Sequence, residues 1–523
     1  MTGSRSTPIP SVAAPSPPLG WGARLAAWVG IAYIVSFIAI AILRLGYPFE
    51  LEWMEGSSIA HLNRVLHGLQ LYVKPSLDFT PFTYPPLYFI VSAWVARLTG
   101  SGFVPLRLVS IAASLGTLAM IYAYVRRESA SRWPALVAAS LFAATFRQSG
   151  AWLDLGRVDA LFLCLMMAGA AAVRRIESAW LAGIAGGVLF ALAALTKQSA
   201  LFIAAPVAVV LLATDWKRGL AFGATLATCF AGLAWLLNRQ SGGWFSFYVF
   251  ELPRDHPIIG QLLRGFWIED FVGPLGFALA IGAAHFFLAP IRPRWRVLTL
   301  DFTLFLALVL TGYATRIRVG SFINVALPAY LGVCVLAGLG LSTLWAHRRT
   351  DSPVSRRAES FVALLLLAQF ALLAYKPWLQ LPSSADRAAG EQIVESLRRV
   401  TGDVWVPRHP YLAELAGKPT FAHELALQDV LRQTEAAHSR ALLGEIQAAA
   451  RSRRFGLLVL DDESWVHHEF SPYYHHAAEM FGATETALFW PRTGFVTRPD
   501  FVWVPEADST AARNVTGGPG RPH

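Results

Sequence analysis

Residues 25 to 43 read LAAWVGIAYIVSFIAIAIL, a stretch without charge that is bracketed by Arg24 and Arg44. It is long enough for a helix to cross the hydrocarbon core of a bilayer. Similar apolar blocks recur along most of the chain, which has 523 residues, 55% of them hydrophobic and only 15% charged. The sequence therefore predicts a mostly α fold, a polytopic transmembrane bundle of about 11-13 helices.

The basic residues of the chain cluster in short loops between the apolar blocks. By the positive-inside rule these loops are cytoplasmic, and the loops opposite them lie on the outer face. The same rule accounts for the net charge of +10, so nucleic acid is not indicated as a partner. A crossing by the apolar segment 85–100 would break this parity, so it is predicted to be a short interfacial or partly inserted helix. The basic clusters are at 126–132, 174–178, 215–218, 292–296 and 347–357.

Three regions of the chain differ in composition. Residues 1–20 are rich in Pro and Ser and are predicted to form a disordered tail. Residues 21–376 hold the apolar blocks, with a first outer loop at 46–84. Residues 377–523 are polar and are predicted to form a soluble α/β domain outside the cytoplasm. The predicted elements of that domain are helices at 386–400 and 424–450 and strands at 404–407 and 455–460.

Three glutamates follow the first apolar block, in the stretch YPFELEWMEG at 47–56. Glu52 and Glu55 are three residues apart, so on a helix their Cβ atoms would lie about 5 to 6 Å from each other. Two negative charges at that distance raise the pKa of one carboxyl, which would suit a catalytic base. The simpler explanation is a pair of solvated carboxylates at a membrane surface.

Other outer-loop residues also invite a functional interpretation. Lys197, Arg316 and Arg318 are basic residues on the side where the charge rule does not expect them. Anchoring at the membrane surface is the simpler role for Lys197. Asp159, in WLDLGRVDA at 152–160, begins an apolar helix. Its simpler role is to stabilise the N-terminus of that helix, where the helix dipole is positive.

The order of several motifs resembles the C-type (GT-C) membrane glycosyltransferases. The most similar branch comprises the bacterial relatives of protein O-mannosyltransferases and aminoarabinose transferases, a glycosyltransferase family 39-like group. The resemblance covers about residues 46 to 215 and extends loosely to 345. The motifs are the acidic stretch after the first span, HGLQLY (67–72), YPPLYF (84–89), VPLRLVSIAASLGTLAMIYAYVRR (104–127), GRVDALFLCL (156–165) and ALAALTKQSAL (191–201).

This resemblance implies a sugar donor on a polyprenyl phosphate. The sugar would be transferred, with inversion at the anomeric carbon, to a hydroxyl of a lipid, glycan or protein acceptor. The reaction would take place at the outer face of a bacterial inner (plasma) membrane. A carboxylate in the first outer loop would be the base.

The resemblance also suggests roles for particular residues. The Asp-Glu pair of the family is matched by Met54 and Glu55, so Glu55 is predicted to be the base, with Glu52 as the alternative and Asp159 as a second catalytic carboxylate. A divalent cation held by such carboxylates is left open. A phosphate leaving group requires cations and hydrogen-bond donors. The predicted substrate-binding residues are Lys197, Arg318, Arg316, Arg254, Tyr84, Asp154, Arg157 and His256.

Three other classes of function fit the sequence less well. A membrane transporter or lipid flippase would be expected to carry intramembrane charges and inverted repeats, whereas this chain has its acidic residues in outer loops. A scaffold that binds partners through the outer domain does not explain why acids and cations gather on one face. An enzyme that uses a nucleotide-sugar would need the acids on the cytoplasmic side.

Overall fold

The computed structural model describes residues 19–129, 131–347, 353–482 and 485–506. The tail predicted for residues 1–20 lies outside the described residues, apart from its last two positions. Helices dominate the described chain, and its strands form one four-stranded sheet near the C-terminus.

The apolar blocks form helices because a chain in a bilayer must pair every backbone N–H and C=O within the segment. Two π-helical stretches, Phe247–Glu251 and Phe266–Val272, join shorter helices to each other. In chain order the helices of this region are α1 (Trp21–Leu45), α2 (Glu55–Leu66), α3 (Leu87–Thr99), α4 (Phe103–Arg126), α5 (Trp133–Ala144), α6 (Asp159–Arg175), α7 (Ala179–Thr196), α8 (Ala200–Thr214), α9 (Trp216–Gln240), α10 (Trp244–Ser246), α11 (Leu252–Arg254), α12 (Gly260–Gly265), α13 (Gly273–Leu288), α14 (Ile291–Arg316), α15 (Leu327–Ala346) and α16 (Pro353–Leu372).

Among the described residues, 7 helical segments are long and apolar enough to cross a membrane. An eighth span results if Val354–Leu372 is counted with Pro377–Arg399, across a bend of 43°. The predicted fold class, a mostly α polytopic bundle with a small α/β part, is confirmed. The 7 segments are Trp21–Leu45, Phe103–Arg126, Ala179–Thr196, Trp216–Gln240, Gly260–Leu288, Arg294–Arg316 and Ile323–Ala346.

The segment 85–100 forms α3, which has 13 residues. A helix of that size is about 20 Å long, well short of the hydrocarbon core of about 30 Å. It packs between α2 and α4, beside the first outer loop. Its position relative to the membrane, interfacial or partly inserted, stays a prediction.

The C-terminal region folds as helices around the sheet, whose strand order is β1-β2-β4-β3. Strand β1 pairs with β2 in parallel, and the other two pairings are antiparallel. The elements are α17 (Ser384–Arg399), β1 (Asp403–Trp405), α18 (Tyr411–Leu415), α19 (Glu424–Leu431), α20 (Ala437–Arg451), β2 (Phe455–Leu460), α21 (Trp465–Phe470), β3 (Tyr474–Glu479) and β4 (Phe501–Pro505).

One predicted helix of this region is divided in two. The segment 424–450 forms α19 and α20, with a turn at 432–436 between them. Gln433 lies in this turn, and its side-chain amide donates to Asp255 Oδ2 at 2.6 Å. The break therefore lets the C-terminal region reach the loop that follows α11.

The C-terminal region packs on the membrane bundle through a shared apolar cluster. Leu62, Phe89 and Leu106, from α2, α3 and α4, lie in the same buried cluster as Val404 and Val502 from the sheet. Burial of apolar surface between the two regions fixes the sheet above the short helices of the first outer loop.

The loops sort to two ends of the bundle, as the charge rule requires. At one end, Glu52, Trp152, Gln198, His256 and Thr315, from five predicted outer segments, line one cavity together with the C-terminal region. Three of the basic clusters meet at the other end, where Arg174 Nη2 lies 2.9 Å from Glu128 Oε1 and Arg294 pairs with the same carboxylate. Which end faces the cytoplasm stays a prediction of the charge rule.

Candidate active site

The cavity at the first of these ends has a volume of about 180 Å³. Five residues singled out from the sequence line it, namely Glu52, Tyr84, Arg157, His256 and Arg318. Much of its remaining wall is aromatic, and the C-terminal region contributes three side chains. The aromatic lining residues are Trp53, Phe82, Trp152, Phe322 and Phe495, and the other C-terminal ones are Leu425 and Asp429.

Glu55 is buried at the start of α2 and is not among the lining residues. Arg107 donates from Nε to its Oε1 and from Nη2 to its Oε2, both at 2.8 Å. The backbone N–H groups of Gly156 and Leu51 donate to the same two oxygens, at 2.8 and 3.0 Å. Burial raises the pKa of Glu55, but Arg107 and these amides outweigh it and hold the pKa below its usual value. This carboxylate is consequently a weak proton acceptor.

Arg107 organises the backbone that leads into the acidic stretch. Besides holding Glu55, its guanidinium donates to the carbonyl oxygens of Arg44, Tyr47 and Phe49, at 3.1, 2.5 and 2.7 Å. Arg107 was not among the residues predicted for the site. The one available signal was that Arg107 is a lone arginine inside the apolar block of α4. A charged side chain in a membrane helix costs free energy and is usually paired.

Glu50 connects the first outer loop to the C-terminal region. Its Oε1 accepts the backbone N–H of Gly56 at 2.8 Å, and its Oε2 lies 2.5 Å from His409 Nδ1. The other ring nitrogen of His409 lies 2.8 Å from Asp461 Oδ2. Burial alone would lower the pKa of His409, but Asp461 and Glu50 raise it to about 10. His409 therefore carries a charge at neutral pH and links Glu50 to Asp461.

Glu52 is the glutamate that meets the cavity. Among the described residues, neither of its oxygens has a well-formed hydrogen-bond partner. The nearest cation is Arg157, whose Nη1 lies 3.6 Å from Glu52 Oε2. Burial raises the pKa of Glu52 to about 7, against the opposing effect of Arg157. A carboxyl with that pKa can exchange a proton near neutral pH.

Arg157 presents free hydrogen-bond donors to the same cavity. Its Nη2 donates to the hydroxyl of Tyr84 at 3.2 Å, whereas Nε and Nη1 find no hydrogen-bond acceptor in the described chain. The rings of Phe82, Tyr84 and Trp152 surround the guanidinium, with centroids 5.6 to 5.9 Å from its carbon. Aromatic faces hold a guanidinium in place without using its N–H groups.

Asp159 and Lys197 pair with each other behind the cavity wall. Lys197 Nζ lies 2.6 Å from Asp159 Oδ1, and the other oxygen accepts from Trp152 Nε1 at 2.9 Å and Asn324 Nδ2 at 3.3 Å. Neither member of the pair lines the cavity. In this arrangement Asp159 fixes two lining side chains, and the charge of Lys197 is neutralised.

The remaining predicted residues divide between the rim and more distant positions. Arg318 lines the cavity and donates from Nη1 to the carbonyl oxygens of Arg254 and His256, at 3.3 and 3.0 Å. His256 Nε2 lies 3.3 Å from Asp429 Oδ1. The side chain of Arg254 is exposed, and it is not a lining residue. Two others form ion pairs away from the cavity, Arg316 with Asp270 at 2.8 Å and Asp154 with Arg44 at 3.2 Å.

The matches with known proteins agree with this architecture. Residues 83–237 match the family model described as dolichyl-phosphate-mannose-protein mannosyltransferase. The structure of ArnT from Cupriavidus metallidurans in the apo state superposes with a TM-score of 0.58 and 14% identity, over 93% of this chain and 99% of that one. The fold is GT-C. The resemblance inferred from the motif order is thus confirmed.

Two further GT-C structures superpose over most of the chain. ArnT bound to undecaprenyl phosphate gives a TM-score of 0.58 at 14% identity, over 95% of this chain and 100% of that one. The archaeal oligosaccharyltransferase AglB from Archaeoglobus fulgidus, in complex with an inhibitory peptide and a dolichol-phosphate, gives 0.55 at 10% identity, over 95% and 78% of the two chains. No curated protein sequence matched the chain.

Several residues of this GT-C cavity were missed by sequence reasoning. Gln198 donates from Nε2 to the carbonyl oxygens of Thr83 and Val249, at 2.8 and 3.1 Å, and its Oε1 is left without a donor in the described residues. Its neighbour Lys197 drew attention because of its charge, whereas a glutamine gives no such signal. Phe495 and Asp429 lie in a region whose motifs are weak, so no pattern indicated them.

The described residues contain no cluster of three or more His, Cys, Asp or Glu side chains arranged to hold a metal ion. Glu52 is the acid that meets this GT-C cavity without a hydrogen-bonded partner, and Arg157 lies beside it. The chemistry available from these side chains is therefore proton acceptance next to a cation.

Proposed function

We propose that the chain is an integral-membrane glycosyltransferase that moves a sugar from a polyprenyl-phosphate donor to an acceptor hydroxyl, with Glu52 as the general base. One observation carries the proposal, namely that Glu52 and Arg157 face each other at 3.6 Å at the wall of one cavity, both with unused hydrogen-bonding atoms. The ArnT structure with bound undecaprenyl phosphate supports a lipid-phosphate donor for this fold. The identity of the sugar, hexose or pentose, is not part of the proposal.

Glu52 is assigned as the base, and Glu55 is not, because the two carboxyl groups differ in their hydrogen bonds and in their pKa values. A general base must reach the proton that it removes, and its pKa should lie near the working pH. Glu55 accepts four hydrogen bonds and has a lowered pKa, whereas the pKa of Glu52 is raised to about 7. Glu55 is then a positioning residue that holds the loop through Arg107.

The transfer follows from these positions. Glu52 accepts the proton of the acceptor hydroxyl while that oxygen forms a bond to the anomeric carbon of the sugar. The bond from the anomeric carbon to the phosphate oxygen breaks, and its electron pair leaves with the lipid phosphate. Arg157 and Arg318 meet the charge that develops on this phosphate. Because the acceptor displaces the phosphate directly, the configuration at the anomeric carbon inverts.

The proposed place of the reaction is the outer face of a bacterial inner membrane. Three basic clusters meet at the end of the bundle away from the cavity, and by the positive-inside rule that end would be cytoplasmic. In this orientation the C-terminal region is extracytoplasmic.

A deletion strain tests the proposal. Mass spectrometry of its envelope glycans and lipids should reveal a missing sugar, which would identify donor and acceptor together. A plasmid that carries the wild-type gene should restore the sugar, and one that carries Glu52→Gln should not. A matched control is Glu395→Gln, because Glu395 is an exposed surface residue of α17. An unchanged glycan and lipid profile in the deletion strain would count against glycosyl transfer.

A further inference from the structure

We infer that the acceptor is a saccharide and that the C-terminal region supplies the wall on which its ring packs, with Phe495 as the main contact. This inference rests on the proposed function, because it names the substrate class of the same cavity. It follows from how one C-terminal loop is seated on Glu52.

The loop 492–496 is fixed directly against the acidic stretch. The backbone N–H groups of Arg492 and Thr493 both donate to the carbonyl oxygen of Leu51, at 2.9 and 3.1 Å. Gly494 follows with φ +84°, and a Cβ atom at this position would lie 2.9 Å from Cγ of Glu52. A glycine is required here both by the positive φ and by the close approach.

The next residue, Phe495, completes an aromatic wall beside Glu52. Its ring meets Trp53 edge-on at 5.4 Å between centroids and lies 6.3 Å from Phe322. All three side chains line the cavity, yet Phe495 is still 45% exposed. A large aromatic ring that stays exposed at the mouth of a cavity is available for a ligand.

The unused polar atoms of the cavity suit a ligand with several hydroxyl groups. Both oxygens of Glu52 and Oε1 of Gln198 are buried acceptors without a hydrogen-bonded donor in the described residues. Buried acceptors are normally paired, so a bound group that brings O–H donors would satisfy them. A sugar ring combines an apolar C–H face, which packs on aromatic rings, with hydroxyl groups at its edge.

The same loop is poorly suited to a peptide acceptor. Extended peptides are commonly held by unpaired backbone groups at a strand edge. The amides of Arg492 and Thr493, which are next to the cavity, are already used by Leu51. What the loop offers the cavity is an aromatic side chain, and we therefore commit to the saccharide.

The test compares transfer to an acceptor with transfer to water. Purified protein is given a panel of polyprenyl-phosphate hexoses and pentoses, with methyl glycosides of hexoses or a serine-containing hexapeptide as acceptor probes. Phe495→Ala removes the ring on which the acceptor packs and should lower the ratio of glycoside transfer to donor hydrolysis by about tenfold, which corresponds to about 1.4 kcal/mol. Phe495→Tyr, which keeps the ring, should retain the ratio.

Val496→Ala is the matched control. Val496 lies in the same loop, is 79% exposed and does not line the cavity, so its replacement should leave the ratio unchanged. An unchanged ratio in Phe495→Ala, or transfer to the hexapeptide in preference to every glycoside, would overturn the inference. Absence of both transfer and hydrolysis in the wild type, for every donor of the panel, would instead contradict the proposed function.

Discussion

Glu50, Glu52 and Glu55 lie within six residues of one another but meet three different surroundings. Glu50 faces the charged His409, Glu55 is held by Arg107 and two amides, and Glu52 has an unbonded carboxylate beside Arg157. Burial raises the pKa of both Glu50 and Glu52, but of these two only Glu52 lines the cavity, so the surroundings and not the residue type single out Glu52. Spacing along the sequence could not distinguish them, because each decisive neighbour comes from a distant segment.

Glu52→Gln and Glu55→Gln should fail in different ways. Glu52→Gln removes the basic oxygen from the cavity, so turnover per folded molecule should drop by about 10² to 10⁴-fold. Glu55→Gln leaves the buried charge of Arg107 without its partner, which should destabilise the fold by about 3 to 5 kcal/mol. Detergent-solubilised protein, assayed for transfer and for thermal unfolding, separates the two effects. Wild-type turnover in folded Glu52→Gln would exclude Glu52 as the base.

The pH dependence of kcat/KM should reflect the ionisation of the Glu52 carboxyl. Only its deprotonated form accepts a proton, so kcat/KM should rise with pH through a midpoint of about 7, the pKa to which burial raises this group. The charge of Arg157 lowers the pKa of Glu52 and so opposes the effect of burial. Arg157→Gln removes that charge, so the midpoint should move to higher pH and the rate should also drop. A flat profile between pH 5 and 8 would contradict the assignment.

At the scale of elements, the first outer loop and the C-terminal region behave as one unit. Glu50 accepts the Gly56 amide at the start of α2 and binds His409, which follows β1 and also contacts Asp461, the residue after β2. The acidic stretch is thus held by the bundle through Arg107 and by the sheet through His409. Its geometry depends on both regions.

Removal of His409 should weaken this connection. In His409→Ala, Glu50 and Asp461 face each other without the intervening cation, so we expect a loss of about 3 to 5 kcal/mol of stability. Chemical unfolding followed by fluorescence measures the change. Arg399→Ala removes an exposed ion pair with Glu395 and should cause little change, so an equal loss in both variants would argue against a special role for His409.

The same link sets a pH window for stability. The pKa of His409 is raised to about 10 from an ordinary value of 6.5. Its contribution is therefore fully present below pH 6.5 and is lost as the pH rises through 10. In the wild type, the free energy of unfolding should therefore decrease at alkaline pH. In His409→Ala this decrease should be smaller. If the two profiles keep the same shape up to pH 10, the charged link is not what stabilises the loop.

At the scale of the whole molecule, the sequence predicted the membrane bundle and the polar C-terminal region because both depend on local composition. The apolar blocks identified the long helices, and the basic clusters sorted the loops to the correct ends relative to one another. Pairing over long separations could not be predicted. Neither the pairing of Lys197 with Asp159 nor that of Glu55 with Arg107 is visible in the sequence, and the roles predicted for Lys197 and Glu55 stay predictions.

The orientation of the molecule can be measured with two single cysteines. Val496 is exposed at the cavity end, and Glu177 lies in an exposed loop at the opposite end, so each is replaced by cysteine in a separate variant. A maleimide that cannot cross membranes should label Val496→Cys in intact spheroplasts and should label Glu177→Cys only after lysis. A C-terminal alkaline phosphatase fusion should be active. The reverse pattern would place the cavity on the cytoplasmic side.

The bond between the Leu51 carbonyl and the amides of Arg492 and Thr493 has a consequence for biosynthesis. Leu51 enters the membrane region early in translation, whereas its partners are made about 440 residues later, and β4, which lies between β2 and β3 in the sheet, later still. The ribosome completes every apolar helix before the segment that closes over Glu52 has been made. A nascent chain, or one truncated before residue 491, would therefore hold the apolar helices but lack these hydrogen bonds to Leu51. Synthesis of this last segment would then complete the wall beside Glu52.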